Sequence, residues 1–156
     1  MRHLSTIVRA LVAAPVASGK TNLSAAFLPI RRSRRRTLVV VLSDFLNPGE
    51  AAGWQRLTRR HDVMAFRLVE PREEALPAGG LLRIQEAETG RRTVVDSGSR
   101  RVREAYEMAA RHRQEVFRSF ATEAGLIAFD LRTQDEPVGA LLRAFRDLRG
   151  RRGIRP

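Results

Sequence analysis

Cysteine is absent from all 156 residues. Disulfides, thiolate metal sites and cysteine nucleophiles are therefore excluded, and a reducing compartment is allowed. Lysine occurs once, at Lys20; all the other basic residues among the 29 are arginine. Tyrosine and tryptophan also occur once each, which leaves little to stack on nucleic-acid bases. No stretch reaches the roughly 18 consecutive apolar residues of a membrane span. Near the start, residues 7–17 are apolar enough to suggest a signal peptide. Arg9 interrupts them, and the pattern reads better as a helix, so a cytoplasmic location is expected.

What remains is a basic chain, with a net charge of +12 and 43% hydrophobic residues. That length and composition suit one soluble domain with a real core. The arginines are scattered, so most of them read as solvated helix surface. Two runs, 31–36 and 149–155, are dense enough to attract phosphate.

Hydrophobic periodicity divides the chain. Leu4, Ile7, Val8 and Leu11 recur at helical spacing over 4–13, and Pro15, Ser18 and Gly19 mark a loop after them. Residues 22–33 read as helix, with Asn22 as the candidate N-cap. Residues 37–42 (Thr-Leu-Val-Val-Val-Leu) are apolar without alternation, the pattern of a central parallel strand covered on both faces. Asn47, Pro48 and Gly49 form a turn before a short helix over 50–60 that presents Trp54 and Leu57. A second strand is expected over 62–69. Segments 81–85 and 92–95 flank Glu88, Thr89 and Gly90 as a β-hairpin, with Gly90 free to take positive φ. A long helix over 99–124, a buried strand near 126–130 and a last helix opening at Pro137 and ending at Gly150 complete the order. Strands alternating with helices imply an α/β fold with a parallel sheet, helices on both faces and the hairpin as an insertion. Its ligand crevice lies beyond the C-terminal strand ends, where Asp44 falls. The domain is placed at 1–149, and 150–156 reads as an arginine-rich disordered tail.

Residues 14–21 come close to a phosphate-binding loop, with alanine at the first glycine position and Gly19-Lys20-Thr21 at the end. Such a loop must follow a buried strand, whereas a helix is expected before Ala14. Pro15 also removes one of the cradle N–H groups. No acid/base pair or nucleophile with a base emerges. His3, His61 and His112 fall on different elements. His61 is expected to cap or orient backbone, and His112 to be exposed. Glu73-Glu74 and Asp135-Glu136 read as solvated charge. The chain is expected not to be an enzyme.

One ordered set of short motifs carries a resemblance. It comprises Gly19-Lys20-Thr21-Asn22-Leu23, Val40-Val41-Leu42-Ser43-Asp44-Phe45, Arg60-His61-Asp62-Val63, Glu70-Pro71-Arg72-Glu73, and Glu88-Thr89-Gly90 with Val95-Asp96. Together they resemble, in order and spacing, the C-terminal part of a bacterial von Willebrand factor A-like family designated domain of unknown function 58. Its members are often encoded beside MoxR-type AAA+ ATPases. The resemblance implies a partial von Willebrand A-type (Rossmann-like) sheet and a metal-ion-dependent adhesion site. In such a site Thr21 matches the threonine ligand and Asp44 the aspartate. The D-x-S-x-S loop that supplies the remaining ligands does not occur among the twenty residues before Thr21, and the family's first three strands would precede Met1. Lys20 stands where the family has glycine and Asn22 where it has aspartate. The expectation is an incomplete site that holds no cofactor in this chain alone, and Mg²⁺ only if the missing motif is supplied. The resemblance also implies a protein-interaction module, adaptor-like toward a MoxR-type ATPase. An unpaired apolar strand at 37–43 would then invite homo-oligomers unless the helix at 4–13 covers it. The alternative is a basic nucleic-acid-binding module, although specific nucleic-acid binding is not expected.

Overall fold

The computed structural model describes residues 2–14, 23–85 and 90–152. Helix α1 (Arg2–Ala13) and helix α2 (Leu23–Arg31) precede strand β1 (Leu38–Ser43). Helix α3 (Ala51–Thr58) links β1 to β2 (Asp62–Val69), and a single 3₁₀ turn follows at Pro71–Glu73. The hairpin of β3 (Leu81–Gln85) and β4 (Arg92–Asp96) leads into α4 (Arg100–Glu123), β5 (Ile127–Arg132) and α5 (Pro137–Arg152).

Strands β1, β2 and β5 form a parallel sheet in the order β1-β2-β5, with Val40 opposite Met64 and Ala65 opposite Ala128. Helices lie on both faces, which makes the chain a Rossmann-like α/β fold. On one face Val39, Val63 and Ala65 meet α2, α3 and α4 through Phe27, Trp54, Leu57 and Phe117. On the other, Met64, Phe66 and Phe129 meet Leu141 and Ala144 of α5. The first face is the aromatic one. Trp54 is fully buried, edge-on to Phe27 at 4.5 Å and to Phe120 at 5.9 Å. Its indole N–H donates to the Pro48 carbonyl at 2.7 Å, so its polar atom is satisfied inside the core.

Local chemistry explains where elements stop. Helix α4 ends in a Schellman motif. Gly125 takes φ 68°, its N–H reaches the Thr122 carbonyl, and the Leu126 N–H reaches the Ala121 carbonyl. Helix α5 starts as expected at Pro137, and the Glu136 carboxylate accepts from the N–H groups of Val138 and Gly139. Gly150 does not end it, because α5 continues to Arg152. One glycine costs a helix only about 1 kcal/mol, and the flanking arginines are good helix formers. Residues 153–156 of the expected tail lie outside the described residues. The hairpin pairs Ile84 with Thr93, and Gly90 takes φ 69°.

The reading of residues 37–42 as a central strand covered on both faces fails, while the unpaired edge expected at 37–43 is present among the described residues. Strand β1 is not central; among the described residues it is an edge strand paired with β2 alone. Its Val39 and Val41 side chains enter the aromatic core, but Leu38, Val40 and Leu42 stand exposed on the other face. The unalternating apolar run therefore marks one covered and one bare face: among the described residues Leu141 and Ala144 of α5 cluster with Met64, Phe66 and Phe129 of β2 and β5, and no β1 residue joins that cluster. Nor does α1 cover the bare strand. Its own Leu4, Leu11 and Val12 are exposed.

Candidate functional site

The C-terminal ends of β1 and β2 open into a crevice of ≈ 170 Å³, walled by α4 and by the loop after β1. Asp44 lies on its rim. The strand ends in a compact turn: Asp44 Oδ1 accepts the Leu46 N–H at 3.1 Å, and Ser43 Oγ accepts the Phe45 N–H at 3.1 Å. Phe45 takes φ 54°, an unusual left-handed conformation for a residue with a large side chain. It is held there by burial between Trp54, at 5.8 Å between ring centroids, and Phe117, at 4.9 Å. Asp44 is thus presented by a backbone whose shape the core dictates.

The floor is charged. Arg67, on β2, is 9% exposed. Its guanidinium pairs with Asp130 of β5 through Nε–Oδ1 at 2.8 Å and Nη2–Oδ2 at 2.9 Å, and it lies 5.2 Å from the Phe117 ring centroid. The pairing follows from register, since Arg67 and Asp130 are direct cross-strand partners. Gln114 of α4 donates to the same carboxylate at 3.2 Å. Burial pushes the Asp130 carboxyl up, but the Arg67 hydrogen bond and charge outweigh it. With help from Gln114 and the charge of Arg118, they hold it below the ordinary carboxylate value. At the crevice edge Arg113 donates to the Glu73 carbonyl at 3.1 Å, and Glu74 pairs with Arg132 at 2.7 Å.

The sequence singled out Thr21 and Asp44 as metal ligands. Thr21, with Lys20 and Asn22, lies outside the described residues, so the structure places Asp44 alone. The donors among the described residues do not by themselves make up a divalent-cation site. Mg²⁺ takes about six oxygens in octahedral array. Asp44 supplies one carboxylate already engaged by the Leu46 N–H, in a crevice that also holds Arg67 and Arg113. No three His, Asp or Glu side chains gather to hold a metal ion among the described residues. Calorimetric titration of the chain with Mg²⁺ or Mn²⁺ is expected to show no saturable micromolar binding. Saturable binding abolished in Asp44→Ala would overturn that expectation.

Other expected site features sort differently. Residues 2–13 are helix, so the loop resembling a phosphate cradle does not follow a strand; residues 15–22 themselves lie outside the described residues. His112 is exposed on α4 at the crevice edge, as expected. Asp135 and Glu136 are not simply solvated. Asp135 accepts the Arg132 N–H, while Glu136 caps α5. His61 corrects the reading most. Its ring is 2% exposed, and neither ring nitrogen caps or orients backbone among the described residues. The Arg67–Asp130 pair was missed. Its signal is a charged residue set between apolar ones in each of two strands, Arg67 in β2 and Asp130 in β5.

Comparison with known proteins places the chain in a lineage. An uncharacterized protein of Mycobacterium avium is 32% identical over 154 residues, covering 92% of this chain and 87% of the relative. Uncharacterized proteins of Mycobacterium bovis and Mycobacterium tuberculosis are each 32% identical over 151 residues, 91% of this chain. The chain spans 46% of the length of those two longer relatives. No solved structure matches it. The family described as protein of unknown function DUF58 matches residues 1–116, and the chain belongs to that family.

Proposed function

We propose that this chain is a non-enzymatic protein–protein interaction module, a partial von Willebrand A-type sheet that acts as an adaptor-like partner of a MoxR-type AAA+ ATPase in the cytoplasm. The observation that carries the reading is the bare side of β1. Among the described residues one edge of this six-residue strand makes no ladder, and Leu38, Val40 and Leu42 (57% exposed) line the adjoining face. Unpaired strand edges beside apolar side chains are templates for another chain. The fold class and the family assignment support the von Willebrand comparison, and the ATPase follows from the resemblance. No helix among the described residues is long and apolar enough to cross a membrane. The test is affinity capture with the whole chain from lysate of the producing cell, the retained proteins being identified by mass spectrometry. Retention of a MoxR-type ATPase is the expected result, and its absence from repeated captures would overturn the assignment. The same edge would join two copies when no partner is present. Light scattering is expected to show concentration-dependent dimerisation, and a monodisperse monomer at high concentration would argue against self-pairing.

A second reading, nucleic-acid binding, has one observation in its favour. The Arg36–Asp62 ion pair (2.8 Å) and the Asp62 N–H to Thr37 carbonyl bond draw the arginine run before β1 beside Arg59 and Arg60. Phosphate contacts of this kind give steep salt dependence. A gel shift that disappears between about 50 and 200 mM salt would mark it as non-specific attraction.

A further inference from the structure

Helix α1 carries an apolar stripe that the fold leaves in water. At helical spacing Leu4, Ile7, Val8 and Leu11 share an arc of about 100°, with Val12 bordering it and Arg9 on the opposite side. A stripe of that width ordinarily packs on a core. Here Leu4, Ile7, Val8, Leu11 and Val12 are all exposed, from 46% to 83%, and none belongs to either core cluster. The helix is about 18 Å long, too short to cross a bilayer but long enough to lie along its surface.

The second observation is the sign of the charge that accompanies it. Asp44 is the first acidic residue of the chain, and the residues before it include Arg9, Lys20 and five arginines between 31 and 36. Arg36 pairs with Asp62, but Arg32, Arg34 and Arg35 are exposed and make no ion pair among the described residues. A second copy of the chain would bring the same positive segment to the contact, and like charges oppose it. The stripe is also wholly aliphatic, without the tryptophan, tyrosine or arginine anchors that dominate protein interfaces. An anionic lipid surface meets both features at once.

We infer that α1 is an interfacial anchor that lays its aliphatic stripe into the surface of an anionic lipid bilayer, assisted by the arginines before β1. The stripe enters the boundary between headgroups and acyl chains, while Arg9 stays at headgroup level. Arg32, Arg34 and Arg35 add attraction through the negative surface potential, which reaches about 10 Å from the headgroups at ordinary salt. Charge alone gives only a loose attraction that salt screens, and a short stripe alone partitions weakly; together they bind. Helix α1 and strand β1 are separate elements, so a failed ATPase capture would leave this inference standing.

Flotation of the whole chain with lipid vesicles tests this. Vesicles of equal parts phosphatidylglycerol and phosphatidylcholine are expected to carry the chain, and vesicles of phosphatidylcholine alone to leave it behind. Leu4→Gln with Leu11→Gln removes apolar surface, keeps every charge and replaces exposed residues by an equally good helix former, so circular dichroism without lipid should not change. That variant is expected to partition at least about tenfold less onto the anionic vesicles. Arg34→Gln with Arg35→Gln leaves the stripe intact and is expected to weaken partition by about fivefold for each arginine. Three results would each overturn the inference: no flotation with anionic vesicles, equal flotation with neutral ones, or flotation of the leucine variant equal to wild type, which would reduce the effect to charge alone. A dimer in light scattering that the leucine variant abolishes, without vesicle binding, would assign the stripe to a second copy and overturn it as well. Retention of an acidic protein that the leucine variant releases, again without vesicle binding, would assign it to a protein partner with the same consequence.

Discussion

Replacing Trp54 by alanine is expected to cost about 4 kcal/mol of folding stability, the largest effect of any single truncation in the chain. The indole is wholly buried and sits where α2, α3 and α4 meet the sheet. It touches Phe27, Phe45 and Phe120, and its N–H holds the Pro48 carbonyl that closes the loop after β1. Truncation removes the transfer free energy of a large side chain and leaves a cavity whose walls belong to several separate elements. Those walls cannot all move inward. The loss also releases the Phe45 turn, because that left-handed backbone is held by packing against the indole and Phe117. Urea denaturation followed by circular dichroism measures the change. Small domains have only about 5–15 kcal/mol in total, so the variant should be close to unfolded at 37 °C. A shift under about 1 kcal/mol, the ordinary effect of a point substitution, would show that the aromatic cluster is not the keystone of the core.

Asp130→Asn is expected to cost about 3 kcal/mol at neutral pH, because it leaves the Arg67 guanidinium in the sheet without its counter-charge. The figure belongs to an unpaired buried charge, not to the worth of the intact pair. Replacing both partners, as Arg67→Met with Asp130→Leu, should therefore restore most of the loss. The pH dependence has a definite sign. The folded chain holds the Asp130 carboxyl below its ordinary value, so folding favours the ionised form. The stability it contributes is fully present above the unfolded value of about 3.9 and is lost as pH falls through the lower folded value. The gap between wild type and Asp130→Asn should accordingly be constant from neutral pH down to about pH 5 and shrink below about pH 4. A gap that persists unchanged into acid would mean the asparagine acts through geometry, not through charge.

How much of this was legible beforehand differs from residue to residue. Strand β2 falls at 62–69, as its apolar run requires, and Pro137 marks the start of α5, because both signals are local. The hairpin follows equally from Gly90 and its flanks. The unpaired edge of β1 was implied by the family resemblance, but its bare face was not legible. An unalternating run such as Leu38–Ser43 states that the strand is apolar on both sides; it does not state whether the chain supplies something to cover both. Only the path of α5 decides that, and α5 covers the far side of β2 and β5. Arg67 and Asp130 are 63 positions apart and look like two isolated interruptions until the parallel register sets them side by side. His61 sits among Arg59, Arg60 and Asp62, neighbours that advertise a wet turn. The close of α3 against β2 buries its ring regardless of their polarity. Asp44 was located correctly at the crevice by strand order alone, yet its role as the acceptor for Leu46 N–H depends on the backbone twist at Phe45.

The bare side of β1 bears directly on function, and it can be altered without touching the core. Val40 and Leu42 are exposed, so Val40→Lys with Leu42→Lys should change stability little, by roughly 0.5 kcal/mol for each surface substitution. Lysines along an edge strand are also a common protection of such edges against pairing. Affinity capture with the whole chain in wild-type and double-lysine form is the most direct measurement. Wild type is expected to retain a MoxR-type AAA+ ATPase, and the folded double-lysine variant to retain at least tenfold less. Equal retention by the two forms would contradict docking at β1.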